Sequence, residues 1–287
     1  MIETLLVAAS ILSISLGCNM QDAPETTPEN AAEAAQQNQR GLRQFKEQKI
    51  QLALEHFARA AEKDPTVAEY PNNAGMAHFH LGQPGQALEG FNQAIALNPE
   101  TPIYFYNRGL AYIQLQQFDP ATADFERAIE IDPDYFEPYP QLGLYYLNKG
   151  DFARAATIYA KATELRKDPE LLSNLGMAHM LQDELEPAEK HFLAAAKLAP
   201  GYGNAHYNLG VLYQKQSRFE QAEASYQRAI KATPQKFEAY MNLGIVQTKL
   251  RKKQDAISSL NQFIKAAPES MQRQKADARK RITELEQ

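Results

Sequence analysis

The sequence predicts an all-α solenoid of seven helix–turn–helix units, on three observations. Glycine recurs at Gly41, Gly75, Gly109, Gly143, Gly176, Gly210 and Gly244, at spacings of 34, 34, 34, 33, 34 and 34 residues. Alanine recurs in the same register at Ala53, Ala87, Ala121, Ala155, Ala188, Ala222 and Ala256. A third series, Ala60, Ala94, Ala128, Ala162, Ala195 and Ala229, gives way only to Phe263 in the last unit. A period of this length marks stacked supersecondary units, none of which can bury its apolar face alone. It overrules the two compact domains that 287 residues would otherwise suggest.

In chain order, residues 1–17 read as a signal peptide. Leu5 to Leu16 is a twelve-residue apolar stretch, too short to span a bilayer and placed where a signal core belongs, although Ile2-Glu3-Thr4 brings no basic residue before it. Ser15-Leu16-Gly17-Cys18 resembles the lipobox of bacterial lipoproteins, which implies lipidation of Cys18. Ser15 departs from the aliphatic residue preferred there, and Ser15 with Gly17 also suits an ordinary secretory cleavage site. Cys18 is the single cysteine, so no internal disulfide is available and packing must hold the fold. The lipoprotein resemblance, with Asn19 after the cysteine, implies the outer membrane facing the periplasm; a secreted or soluble periplasmic protein is the alternative. Residues 18–33 then read as the lipidated cysteine and a disordered tether, polar, acidic and proline-bearing.

Residues 34–268 carry the seven units. Each reads as two amphipathic helices, the second stopped by proline at Pro65, Pro99, Pro133, Pro200, Pro234 and Pro268, with Lys167 in that place in the fourth unit. In the third unit the first helix is expected over Ile103 to Gln116 and the second over Pro120 to Ile131. Pro138 and Pro140 should delay the first helix of the fourth unit. Gly on one helix and Ala on the next permit close approach, and Phe57, Phe91, Phe125, Tyr159, Phe192, Tyr226 and Leu260 fill the space around them. Residues 269–287 are expected to close the stack as a capping helix, N-capped by Ser270 and apolar along Met271, Ala278, Ile282 and Leu285.

These small and aromatic positions resemble the tetratricopeptide-repeat pattern over residues 34–268. The family's tryptophan is absent, its place taken by Gln37, Pro71, Phe105, Tyr139, Leu172, His206 and Tyr240. The resemblance implies a right-handed superhelix whose inner face is lined by the first helix of each unit. Met76, Tyr106, Met177, Tyr207 and Met241 fall on that face, with Phe79, His80, Leu110, Ile113, Met180, Val211 and Ile245. Flexible methionines and amphipathic tyrosines suit a groove that adapts to peptides or helices, although side chains there can also simply pack between neighbouring first helices. Two residues before each glycine stands a carboxamide: Gln39, Asn73, Asn107, Gln141, Asn174, Asn208 and Asn242. Such a row both donates and accepts, so it can hold an extended peptide backbone, and it resembles the asparagine ladder of O-linked N-acetylglucosamine transferase. A polar residue is also common at this position in the family for its own sake.

A net charge of -5 and a pI near 5.8 exclude the basic face that nonspecific nucleic-acid binding needs. The charge is uneven, since residues 249–287 hold ten Lys/Arg against five Asp/Glu. His78 and His80 lie on different sides of a helix with no carboxylate or cysteine to complete a metal set, and no phosphate-binding loop or nucleophile elbow is present. No catalytic residue, metal, cofactor or small-molecule substrate is therefore expected. The expected function is a non-catalytic scaffold in the cell envelope that binds peptide or helix segments of other proteins. An assembly lipoprotein for a type IV pilus secretin is a narrower version, and an accessory subunit of an envelope glycan-synthesis or export complex is the rival.

Overall fold

The computed structural model describes residues 26–287. The expected signal peptide, Cys18 and the tether up to residue 25 lie outside the described residues. Two compact units are present, one ending at Leu97 and one beginning at Asn98. The first holds two helical hairpins, α1 (Pro28–Lys46) with α2 (Ile50–Lys63) and α3 (Glu69–His80) with α4 (Pro84–Leu97). The second holds five: α5 (Pro102–Gln114) with α6 (Phe118–Ile131), α7 (Pro138–Lys149) with α8 (Phe152–Leu165), α9 (Pro169–Leu181) with α10 (Leu185–Leu198), α11 (Gly203–Lys215) with α12 (Phe219–Ala232), and α13 (Phe237–Lys249) with α14 (Lys253–Ala266). Helix α15 (Gln272–Glu286) follows. The odd-numbered member of each hairpin is called helix A below, and the even-numbered member helix B.

The recurrent glycines explain the pairing within a hairpin. A Cβ on Gly109 would lie 2.5 Å from the ring of Phe125, and one on Gly143 would lie 2.5 Å from that of Tyr159. Gly41, Gly75, Gly176 and Gly210 face Phe57, Phe91, Phe192 and Tyr226 in the same way, and Gly244 faces Leu260. The missing side chain on helix A is thus the seat of the large side chain on helix B. All seven of those large residues and every alanine of the Ala53 series are almost fully buried, and packing at interior density gives them no slack.

The A-to-B turn is built alike in every hairpin. Gln48, Gly82, Gln116, Gly150, Asp183, Ser217 and Arg251 all adopt left-handed φ values, between 59° and 77°. In each, the next residue's N–H bonds back across the turn, as in Gln117 N to Tyr112 O (2.8 Å) and Arg218 N to Tyr213 O (2.8 Å). This six-to-one closure ends helix A with its own carbonyls satisfied. Only two of the seven positions are glycine, so the other five hold a conformation that costs about 1–2 kcal/mol with a Cβ present.

Several boundaries differ from expectation. Helix α6 starts at Phe118, two residues before Pro120, because a proline in the first helical turn forfeits no intrahelical bond. Helix α7 starts at Pro138, two residues later in the repeat than α5, after a six-residue link that carries Tyr135 and Phe136. The expected tether is helical from Pro28 to Glu33: Thr27 accepts from Asn30 N (3.2 Å) and Pro28 supplies a ready-made first residue. Just before it, Thr26 donates to the buried Asp64 (2.9 Å), which also accepts from the Thr66 N–H and hydroxyl. Ser270 is not the N-cap of α15. Glu269–Met271 forms a single 3₁₀ turn that runs into the helix, and Glu269 accepts from Gln272 and Lys275 (both 2.7 Å). Met271, Ile282 and Leu285 pack with buried Ala278 against Leu260 and Phe263.

Candidate functional site

The helix A faces of the second unit carry most of the residues expected to bind a partner. In α5, the ring of Tyr106 packs on Phe125 (5.7 Å between centroids) and edge-on against Tyr135 (5.8 Å). Burial, and then the Glu137 carboxylate, push its hydroxyl pKa up. Tyr207 in α11 repeats the arrangement, packing on Tyr226 (5.8 Å) with the Lys236 ammonium 4.6 Å from its ring centroid. Both tyrosines therefore help to build their own hairpins while leaving part of each ring accessible. Met76, Met177 and Met241 are half-buried on α3, α9 and α13, whereas Met180 is buried in the core beside Phe192.

The carboxamide row has a use inside the fold. Asn73 donates to Asn38 (2.9 Å) and to Glu69 (3.3 Å), Asn208 donates to Ser173 (3.0 Å), and Asn242 donates to the Tyr207 hydroxyl (3.2 Å). In each of these three units the amide reaches back 35 residues, to the position just before the carboxamide of the preceding unit. Asn107 is buried, Asn174 stands next to the buried hydroxyl of Tyr159, and Gln141 borders an open pocket. The bonds bring Met177, Tyr207, Asn208, Met241 and Asn242 onto consecutive, touching A helices. An amide has two N–H donors and a carbonyl oxygen, so one bond to a neighbouring helix leaves capacity for a ligand.

A pocket of about 560 Å³ opens between the end of α5, the start of α6 and the face of α7 that carries Gln141 and Leu144. Ile113, Phe118 and Leu144 line its apolar side, and Gln141 borders it. Phe118 and Leu144 are 49% and 51% exposed, the most exposed large apolar side chains among the described residues. Its far wall is polar: Tyr145 donates to Asp119 (2.6 Å), and the Lys149 ammonium lies 3.5 Å from the same carboxylate and 5.3 Å from the Tyr145 ring centroid. The Tyr145 hydroxyl, and then Lys149, hold the Asp119 carboxyl below its ordinary pKa. Behind this wall a second pocket of about 490 Å³ is bordered by Glu126, Tyr146 and Arg154. Tyr146 donates to Glu126, and burial together with that carboxylate pushes its phenol up to about 12. None of Phe118, Asp119, Leu144, Tyr145 or Lys149 stood out in the sequence; Leu144 follows its glycine as Met76 and Met177 follow theirs, and that register was the available signal.

Models of the tetratricopeptide repeat match residues 102–135, 137–169, 169–235 and 207–270, and a model of the TPR repeat matches 75–116. Together they run from residue 75 to 270 with only residue 136 left out. The chain belongs to the tetratricopeptide-repeat family. Its structure is similar to the C-terminal part of a TPR repeat-containing protein from Cytophaga hutchinsonii, with a TM-score of 0.69 and 18% identity over 84% of this chain and 98% of that one. It is also similar to YrrB, described as a TPR protein with an unusual peptide-binding site (TM-score 0.56, 20% identity, 67% of this chain and 99% of that one). A third likeness is to the hetero-tetramer Cut9–Hcn1 of the APC/C (TM-score 0.58, 17% identity, 91% of this chain and 50% of that one). At these identities the likeness is one of fold. No curated protein sequence matches this tetratricopeptide-repeat chain.

Among the described residues no group of three His, Cys, Asp or Glu side chains could hold a metal ion, and no helix is long and apolar enough to cross a membrane. His78 and His179, at one repeat position, each bond the side chain five residues on: Gln83 at 2.7 Å and Glu184 at 2.6 Å. The Nδ1 of each ring is engaged across the A-to-B turn.

Proposed function

We propose that this chain is a non-catalytic interaction scaffold that binds peptide or helix segments of other proteins along its A helices. The observation that carries this reading is the run of half-buried methionine, tyrosine and carboxamide side chains across α9, α11 and α13: Met177, Tyr207, Asn208, Met241 and Asn242. It combines adaptable apolar contact with amides that can pair to a main chain. The TPR likeness to YrrB, which is described as peptide-binding, supports it.

The reading places the scaffold in a bacterial envelope, anchored through Cys18. The apolar stretch Leu5–Leu16 and the Leu16-Gly17-Cys18 sequence that follows it support this. Radiolabelled fatty acid should enter the parent chain and not Cys18→Ala; equal labelling, or none in either, removes the anchor.

The binding face is tested with a photo-crosslinking amino acid placed at Met177, Val211 or Met241, against the exposed helix B position Gln227. Adducts with other polypeptides should form at the three helix A positions and not at Gln227. Equal yields on both faces, or adducts from Gln227 alone, would sink the reading.

A further inference from the structure

We infer that the pocket between Phe118 and Leu144 takes an apolar side chain from a basic amphipathic segment of a partner polypeptide, a Lys or Arg of the segment lying against Glu126. The inference rests on the scaffold reading above and adds the chemistry of the partner.

The apolar half of the argument is geometric. Two large side chains, Phe118 and Leu144, leave about half their surface in water at the mouth of a pocket of about 560 Å³. Helix B opens on an apolar residue in five of the other six hairpins (Ile50, Pro84, Phe152, Leu185, Phe219), and each of those is better covered than Phe118. A concave apolar site of this size holds one or two large side chains, such as a pair four residues apart on a helix.

The charge around the pocket selects what carries those side chains. Asp119, Glu126 and Asp151 border the two pockets against Lys149 and Arg154, an acidic excess of one. Two of these carboxylates have basic partners: Asp119 has Lys149 and Asp151 has Arg154. Glu126 has none within ion-pair distance among the described residues, its hydrogen bond coming from the neutral Tyr146 phenol. An acidic or phosphorylated partner would meet like charge here, and a neutral one would gain nothing from the field. A basic segment is steered in and then held by the apolar contact.

The test uses the full chain and three fluorescent helical probes of 16 residues: Leu/Lys amphipathic, Leu/Glu amphipathic, and a Ser/Lys version without apolar residues. Anisotropy should show the Leu/Lys probe binding at least tenfold more tightly than the other two, since apolar anchors of interfaces contribute more than 1 kcal/mol each. Phe118→Ala with Leu144→Ala should weaken it about tenfold, and Glu126→Gln should weaken it about threefold and flatten its salt dependence. Because Phe118 and Leu144 are exposed, the melting curve should not move, and Leu144→Lys offers a second variant that repels the probe. Equal binding of the Leu/Glu probe, or binding indifferent to all pocket variants, overturns the inference. If Met177→Ala with Met241→Ala abolishes binding while the pocket variants do not, the pocket is overturned and the scaffold reading stands. Salt-sensitive self-association abolished by Leu144→Lys would instead assign the pocket to the basic 249–287 tail of a second copy, overturning a separate partner.

Discussion

Arg108 grips Asp124 from the neighbouring helix with two hydrogen bonds, Nε to Oδ2 at 2.8 Å and Nη2 to Oδ1 at 2.6 Å. The pair occupies ground that is apolar in the next hairpin, where Leu142 and Ile158 stand at the same two positions. Asp124 is buried and Arg108 mostly so. Removing one partner leaves the other charge desolvated, so Arg108→Leu or Asp124→Ala should each cost about 3 kcal/mol. The double replacement Arg108→Leu with Asp124→Ile should recover most of that loss, and a double-mutant cycle in urea would measure the coupling.

A second expectation concerns the left-handed turns. Ser217 (φ 60°) sits where Gly82 and Gly150 sit in other hairpins. Ser217→Gly should raise stability by about 1 kcal/mol, because strain on a Cβ at positive φ outweighs the entropy that glycine adds to the unfolded chain. Alanine at the same place should not help. Thermal unfolding of both variants decides it.

Carboxylates that brace one repeat on the next give the chain an acid sensitivity. Arg218 donates to both oxygens of Glu189 (2.6 and 3.1 Å), and Tyr213 donates as well (2.9 Å). The Arg218 guanidinium in particular holds the Glu189 carboxyl below its ordinary value of 4.5. A carboxyl depressed in the folded state stabilises above its unfolded pKa and loses that contribution as pH falls through the folded value. Glu189→Gln should therefore be less stable than the parent at neutral pH, and the two urea curves should converge as pH falls below the ordinary glutamate range.

The amide row yields a fourth expectation. Asn208→Ala should lower stability by about 1 kcal/mol, because it breaks the bond to Ser173 on the preceding helix A. The effect should be smaller in a Ser173→Ala background. An Asn208→Ala variant as stable as the parent would mean that the bond contributes nothing, and that the amide is kept for ligands alone.

The hairpins were legible in the sequence because their determinants are locked to one period. Gly143 and Tyr159 lie 16 residues apart in a spacing repeated seven times, so the seat and the ring that fills it are written in the period itself. Departures from the period were harder to read. The position of Arg108 is leucine only in the last four hairpins and that of Asp124 follows no pattern, so nothing local says that the two meet. The expected Ser270 cap failed because Glu269–Met271 forms a 3₁₀ turn that runs into α15, with the Glu269 side chain accepting from Gln272 and Lys275 of that helix. Asn73, Asn208 and Asn242 were visible as a row, but the partners that accept their hydrogen bonds stand 35 residues back, in the preceding repeat. The Phe118–Leu144 pocket is set by how well one hairpin covers another, a property of three-dimensional stacking that composition does not encode.

The seven turns at Gln48, Gly82, Gln116, Gly150, Asp183, Ser217 and Arg251 are closed by main-chain bonds, so their side chains are replaceable. Cys18 is the only native thiol. With Cys18→Ala as the background, cysteines introduced at pairs of these turns become graduations at nearly equal intervals along the chain. Dyes attached there would turn the molecule into a spectroscopic ruler, able to report the distance between its two compact units in solution and how that distance responds when a partner arrives.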